Sequence, residues 1–188
     1  MHVSGPVLRQ LIEREGIVSG YDAIDKQLTA NGFDVRACAF VEILEGGRLA
    51  IDKKNHVPPK LGRAFVLPGF ESRLGGYGVS EVIVTEGFVD LKQHRPYFVM
   101  TCERVKMPKN MMMHTAHRTS LFRFAQSLMG FGFTEAGYEG YLTFVLVPFL
   151  DGAVEIGARV AQVSFAMLQG EGDYAQQREF SQQGGTLF

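Results

Sequence analysis

Cysteine is scarce in this 188-residue chain. Only Cys38 and Cys102 occur, and neither lies in a paired-cysteine metal motif. Each is flanked by strand-like residues, so two buried thiols are expected, with a single disulfide between them as the alternative. An excess of charge of either sign is missing too: 19 Lys and Arg against 20 Asp and Glu give a formal net charge of -1. No global field draws such a chain to a nucleic-acid polymer or an anionic membrane, so any polyanion it binds is small and held by a few local cations. Long apolar runs are absent as well. The longest, such as residues 142–150, fall far short of a membrane span, and the N-terminus has no basic segment followed by an apolar one. A cytoplasmic protein without a membrane partner is the expectation.

Several chemical signatures are also lacking. A zinc deaminase needs His-x-Glu followed by Pro-Cys-x-x-Cys, and neither half occurs. Nor is there a phosphate loop ending in Gly-Lys-Ser/Thr or a Gly-x-Ser-x-Gly nucleophile elbow. Zinc deaminases, P-loop kinases and ordinary esterases are thereby excluded. His114 and His117 are three apart and would share one face of a helix, but no further ligand pair accompanies them. No protein-held metal and no zinc is expected.

What is present is a folded composition, 46% hydrophobic and 21% charged, which excludes a disordered chain. The length suits one domain over residues 1–188. Ser4-Gly5-Pro6 offers a cap and a first-turn proline, and Val7, Leu8, Leu11 and Ile12 then share a helical face until Gly16. This predicts a short helix over about residues 5–15. Beyond it come short runs rich in Val, Phe, Ile and Thr, clearest at 40–44, 63–67, 79–84, 97–101, 141–147 and 159–168, punctuated by glycine pairs. The class is therefore all-β with minor helix, and many short returning strands favour a barrel or two-sheet jelly roll, which hides strand edges. Residues 170–188, rich in Gln and Gly, read as a mobile C-terminal arm, either a frayed end or a lid over a ligand.

The chemistry concentrates in the second half. Arg118-Thr119-Ser120-Leu121-Phe122-Arg123 sets two guanidinium forks and two hydroxyls close together, a set able to clamp phosphate oxygens. The competing reading is a strand-to-helix turn, capped by Thr119 or Ser120, with solvated arginines. Glu135-Ala136-Gly137-Tyr138-Glu139-Gly140 reads as a hairpin, its glycines placed where positive φ or close backbone approach is needed.

Together with Thr101-Cys102-Glu103-Arg104-Val105-Lys106-Met107-Pro108, and at the same mutual spacing, these segments resemble the dCTP deaminase and dUTPase family. Gln27 to Arg36, Arg159-Val160-Ala161-Gln162-Val163 and the terminal Tyr174 with Phe180-Ser181-Gln182-Gln183-Gly184 extend the resemblance over residues 3–185. It implies a distorted jelly-roll of the trimeric dUTPase type (β-clip) and a pyrimidine deoxynucleoside triphosphate as ligand. It implies Mg²⁺ carried on the triphosphate. It assigns Glu135 to hold and activate the attacking water, and Arg118, Thr119, Ser120, Arg123, Tyr138, Gln162, Tyr174 and Gln183 to hold the nucleotide and its phosphates.

The proton-moving positions differ from the family pattern. The family's deaminating glutamate stands ten residues past the hairpin acid, which here is Val145, a side chain that can neither accept nor donate a proton. The hairpin acid is Glu rather than Asp, which moves the carboxylate by about 1.5 Å. His117 stands where the family has glycine, and Glu179 where it has lysine, with Arg178 one residue away. Hydrolysis of dUTP to dUMP and pyrophosphate is the leading expectation. dCTP deamination to dUTP and nucleotide binding without turnover are the alternatives.

Overall fold

The chain was analysed as a computed structural model that describes residues 1–130 and 132–174. Helix α1 (Gly5–Glu15) starts with proline in its first turn and stops at Gly16, whose φ of 65° is left-handed and lets its N–H reach Ile12 O. Ser4 occupies the N-cap position, yet its side chain makes no capping bond. Leu8 and Ile12 are buried and Leu11 packs on the core, whereas Val7 remains half exposed. The apolar face is therefore narrower than the sequence suggests.

Beyond α1 the chain is almost wholly strand: β1 (Val18–Ser19), then helix α2 (Ile24–Gln27), then β2 (Phe33–Glu45), β3 (Lys60–Val66), β4 (Glu81–Val84), β5 (Phe88–Leu91), β6 (Tyr97–Lys106) and β7 (Met111–His117). Helix α3 (Thr119–Ala125) interrupts before β8 (Ser127–Met129), β9 (Gly132–Thr134), β10 (Glu139–Pro148), β11 (Gly152–Glu155) and β12 (Arg159–Met167). The main sheet runs β8-β10-β6-β2-β12-β7-β9, with β1 added on β6, β3 on β2 and β4 parallel to β3, while β5 and β11 form a separate pair. The sheet curls into a half-barrel, the mostly-β class expected. Among the described residues, no helix is long and apolar enough to cross a membrane.

All six expected strands are found, two of them much longer than their apolar runs. β2 begins at Phe33 because Asp34 and Arg36, which break the apolar pattern, are satisfied by partners inside the fold. β7 was not legible at all. Its Met-His-rich text has weak strand preference, and it is held by full pairing to β12 on one side and β9 on the other. On a strand, residues three apart face opposite ways: His114 is exposed and His117 half buried, so the two imidazoles do not form a pair.

The larger core gathers Phe33, Phe40, Tyr97, Phe165 and Leu8 inside the curl. A smaller one, including Cys38, Ala64, Val66, Met100 and Cys102, lies beneath the 3-10 turn Glu71–Leu74, with Leu74 packed into it. β2 serves both cores, and a bulge between Ala37 and Ala39 marks its change of register against β6. Glu103 is fully buried and accepts hydrogen bonds from Gln27 Nε2 (2.9 Å), Arg36 N (2.8 Å) and Arg36 Nε (2.8 Å). Removing one partner from such a pair typically costs about 3–5 kcal/mol. Thr101 donates to Glu103 O and accepts from Leu142 N. Thr101 and Glu103 are thus spent on the fold.

Candidate active site

The expected site residues fall at two ends of β7. At its C-terminal end the chain leaves the strand at Arg118, whose N–H donates to Val160 O, and enters α3 at Thr119. Neither threonine nor serine caps this helix; Arg118 holds the N-cap position, with no side-chain cap bond. The strand-to-helix turn is real, but the capping role expected for Thr119 or Ser120 is not, because the helix begins one residue earlier in the motif. Thr119 is exposed and Ser120 half buried, and Arg123 is exposed one turn later on the same face as Thr119.

Arg118 is not simply solvated. Its Nε lies 2.9 Å from Asp34 Oδ2, and Arg159 Nη1 lies 3.4 Å from the same oxygen. Asp34 is 2% exposed. Burial pushes its carboxyl above the ordinary value, against the pull of the two arginines. Arg159 also donates to Lys26 O. Beside them, Gln162 Nε2 donates to Thr29 Oγ1 at 2.9 Å, with Gln162 directly opposite Asp34 on β2 and Ala116 on β7. Around Asp34, two guanidinium groups thus face one carboxylate, and Arg123 adds a further exposed cation on α3.

Asp34, Arg159 and Thr29 received no role from the sequence, although all three lie in the segments that carry the resemblance. The readable signal was an acid between apolar residues, Phe33-Asp34-Val35, which when buried has to be paired, hydrogen-bonded or neutralised.

At the N-terminal end of β7, β9 pairs through Met113 with Thr134, which sets Glu135 beside Met112 at the hairpin corner. The turn closes by Tyr138 N–H to Glu135 O, with Gly137 at φ 80°. Tyr138 donates its hydroxyl to Tyr141 O at 2.6 Å and packs edge-on against Tyr174, ring centroids 5.5 Å apart. The stretch after β12 folds back over this corner: Leu168 N–H donates to Asn110 O, Gly172 N–H to Lys109 O and Tyr174 N–H to Ala136 O, and Lys109 pairs with Asp173 at 2.6 Å. Glu135, Met112, Phe133, Leu168 and Tyr174 line the cleft so formed, about 270 Å³. Burial, then the charge of Glu135, pushes the Tyr174 phenol up. Glu139, the second hairpin carboxylate, is taken by Arg104 at 2.8 Å. Gln183, Glu179 and Arg178 lie outside the described residues.

Six steps along the strand lead from Met112 to Arg118, about 20 Å at the usual rise per residue. One chain does not bring the hairpin acid and the arginine cradle together. No group of three or more His, Cys, Asp or Glu that could hold a metal occurs among the described residues.

A family model described as dCTP deaminase-like matches residues 2–168. The chain belongs to the dCTP deaminase-like family. It is 32% identical over 113 residues to the dCTP deaminase of Thermococcus kodakarensis, covering 54% of this chain and 69% of that one. It is 26% identical over 121 residues to the dUMP-forming dCTP deaminase of a Sulfurihydrogenibium species, covering 63% and 64%. Among solved structures, the 2′-deoxycytidine 5′-triphosphate deaminase of Agrobacterium tumefaciens superposes with a TM-score of 0.59 at 16% identity, over 97% of this chain and 52% of that chain. This chain thus spans about two thirds of the curated relatives and half of the solved one.

Proposed function

We propose that the protein hydrolyses dUTP to dUMP and pyrophosphate. The observation that carries this reading is the split in carboxylate chemistry along the hairpin and its strand. Glu135 keeps an exposed carboxylate on the rim of a mostly apolar cleft, while Val145, where the family's deaminating glutamate stands, is apolar and 40% exposed. A carboxylate at the corner can accept a proton from a water as that water attacks the α-phosphorus, with pyrophosphate leaving. Without an acid at 145, nothing at that position passes a proton to a C4 amino group. The cleft, with aromatic walls, suits a pyrimidine base, and Arg118, Thr119, Ser120, Arg123 and Gln162 supply the phosphate contacts. Mg²⁺, entering on the triphosphate, offsets its charge and orders its oxygens.

In this reading the cradle of one copy faces the hairpin of another in a homotrimer. The roughly 20 Å between the two ends of β7 supports it. So does the outward face of β10 and β8, where Val145, Val147 and Leu128 leave an apolar patch that solvent does not favour.

The decisive measurement offers dUTP, dCTP and dTTP with Mg²⁺ and resolves products by chromatography. Pyrophosphate and dUMP from dUTP, lost in Glu135→Ala, are expected. Ammonia from dCTP would replace hydrolysis by deamination, and tight nucleotide binding without product would replace both.

A further inference from the structure

Cys38 and Cys102 belong to neither end of the candidate site, and the proposed hydrolysis makes no use of them. They sit on the neighbouring strands β2 and β6, both buried and both free thiols. Cys38 falls within the β2 bulge. Its thiol donates to Thr101 O at 3.3 Å and lies within hydrogen-bond reach of the Cys102 thiol. The register sets Ala37 opposite Thr101 and Ala39 opposite Met100, so the two cysteines are diagonal neighbours across the bulge rather than a directly opposed pair, and closing the bond brings their Cβ atoms to about 3.5–4.5 Å.

The third member of the group is Arg73, from the 3-10 turn that covers this small core. Its guanidinium donates to Thr101 O (2.7 Å), Cys102 O (3.3 Å) and Cys38 Sγ (3.5 Å). It also lies 3.4 Å from the ring centroid of Tyr141 and 4.3 Å from that of Phe70. Tyr141 accepts the Tyr138 hydroxyl at its carbonyl, and the next N–H, of Leu142, donates to Thr101 Oγ1. One arginine therefore joins both cysteines to the strand that leaves the Glu135 hairpin.

We propose that Cys38 and Cys102 form a reversible intrachain disulfide that releases Arg73 and loosens the hairpin carrying Glu135. The oxidant is a small disulfide, R–S–S–R. Cys38 as thiolate attacks one of its sulfurs, and one R–S⁻ leaves and takes up the proton Cys38 lost. Cys102 then gives up its own proton and displaces the second R–S⁻, so two thiols become one S–S bond and the oxidant is reduced to two R–SH. The order follows from the surroundings. The bond from Cys102 and the charge of Arg73 hold the Cys38 thiol below its ordinary value, whereas the bond to Cys38 and burial push Cys102 up. Entry is through the covering strip of residues 69–78, whose Gly69, Gly76 and Gly78 all sit at positive φ and which Arg73 fastens to the sheet.

The thiol chemistry stands apart from the proposed hydrolysis, on which only the turnover readout rests. The full chain is incubated with oxidised glutathione; thiols are then counted by alkylation after denaturation, and amide exchange of residues 135–142 is followed by mass spectrometry, with and without dithiothreitol. Both thiols should disappear together, the mass should fall by two hydrogens, and exchange at Tyr138 to Leu142 should rise by about tenfold as local opening becomes easier. Dithiothreitol should reverse all three. Cys102→Ala should trap glutathione on Cys38, Cys38→Ser should resist oxidation, and Arg73→Lys should reproduce the faster exchange in reduced protein. Two thiols that remain alkylatable would sink the disulfide, and a disulfide that leaves exchange unchanged would sink its coupling to the hairpin. Reduced protein inert toward dUTP would count against the hydrolysis alone, since thiol count and exchange still decide this proposal.

Discussion

At the Arg118 end of β7 the charged side chains are spent largely on one another; at the Glu135 end the acid faces solvent. Arg118 and Arg159 converge on a buried Asp34, so the groups suited to grip phosphate are also groups the fold needs. Glu135 lines an open cleft among Met112, Phe133, Leu168 and Tyr174. The difference separates binding from chemistry: damage at the first end should be felt in stability as well as in phosphate binding, damage at the second in turnover alone.

The largest effect should come from the hairpin. Glu135→Ala is expected to lower pyrophosphate release from dUTP by at least about a hundredfold, the usual worth of a positioned base, with the thermal midpoint unmoved because the side chain is exposed. A drop in midpoint would erase the contrast between the two ends. Next, Arg118→Ala should cost about 2 kcal/mol in urea unfolding, less than the ~3–5 of a fully stripped buried pair because Arg159 still faces Asp34. In an Asp34→Asn background the same substitution should cost clearly less, and an undiminished cost would show that the pair is not what is lost.

A smaller effect concerns pH and sets Asp34 against Glu42. Burial raises the Asp34 carboxyl, so the folded chain holds that proton more tightly than the unfolded chain; this group favours the fold more as pH falls through its folded value. Glu42 is bonded by Arg63, with Arg95 nearby, and held below its ordinary value, so its stabilisation is complete above that value and is lost as pH falls through the folded one. Stability measured from neutral to acid pH should therefore fall more steeply in Asp34→Asn and less steeply in Glu42→Gln. Smallest of all, Lys109→Ala removes the tie between an exposed ammonium and the more buried Asp173 carboxylate and should change the dUTP KM by less than about threefold. A large change would mean that the 168–174 stretch positions the hairpin more firmly than its backbone bonds imply.

Much of this fold could be read from the amino acids alone. Proline and glycine bracket α1 at its two ends, and apolar runs bounded by turns mark six strands, because these signals are local. β7 was hidden since its strand character comes from two neighbours rather than from Met and His themselves. The motif Arg118–Arg123 was visible, yet its first arginine had an unforeseen partner 84 positions earlier in Asp34. No local pattern encodes such a contact. The distance between Glu135 and the arginine cradle was equally invisible, because sequence spacing says nothing of a strand running straight between them.

That separation has a consequence at the level of mixtures. A chain broken at Glu135 still owns an intact cradle, and one broken at Arg118 still owns an intact hairpin. If sites are shared between copies, two inert preparations unfolded and refolded together regain activity. Random assembly pairs a sound cradle with a sound hairpin at roughly a quarter of the sites. Two different loss-of-function alleles in one cell would then be less harmful together than either one alone.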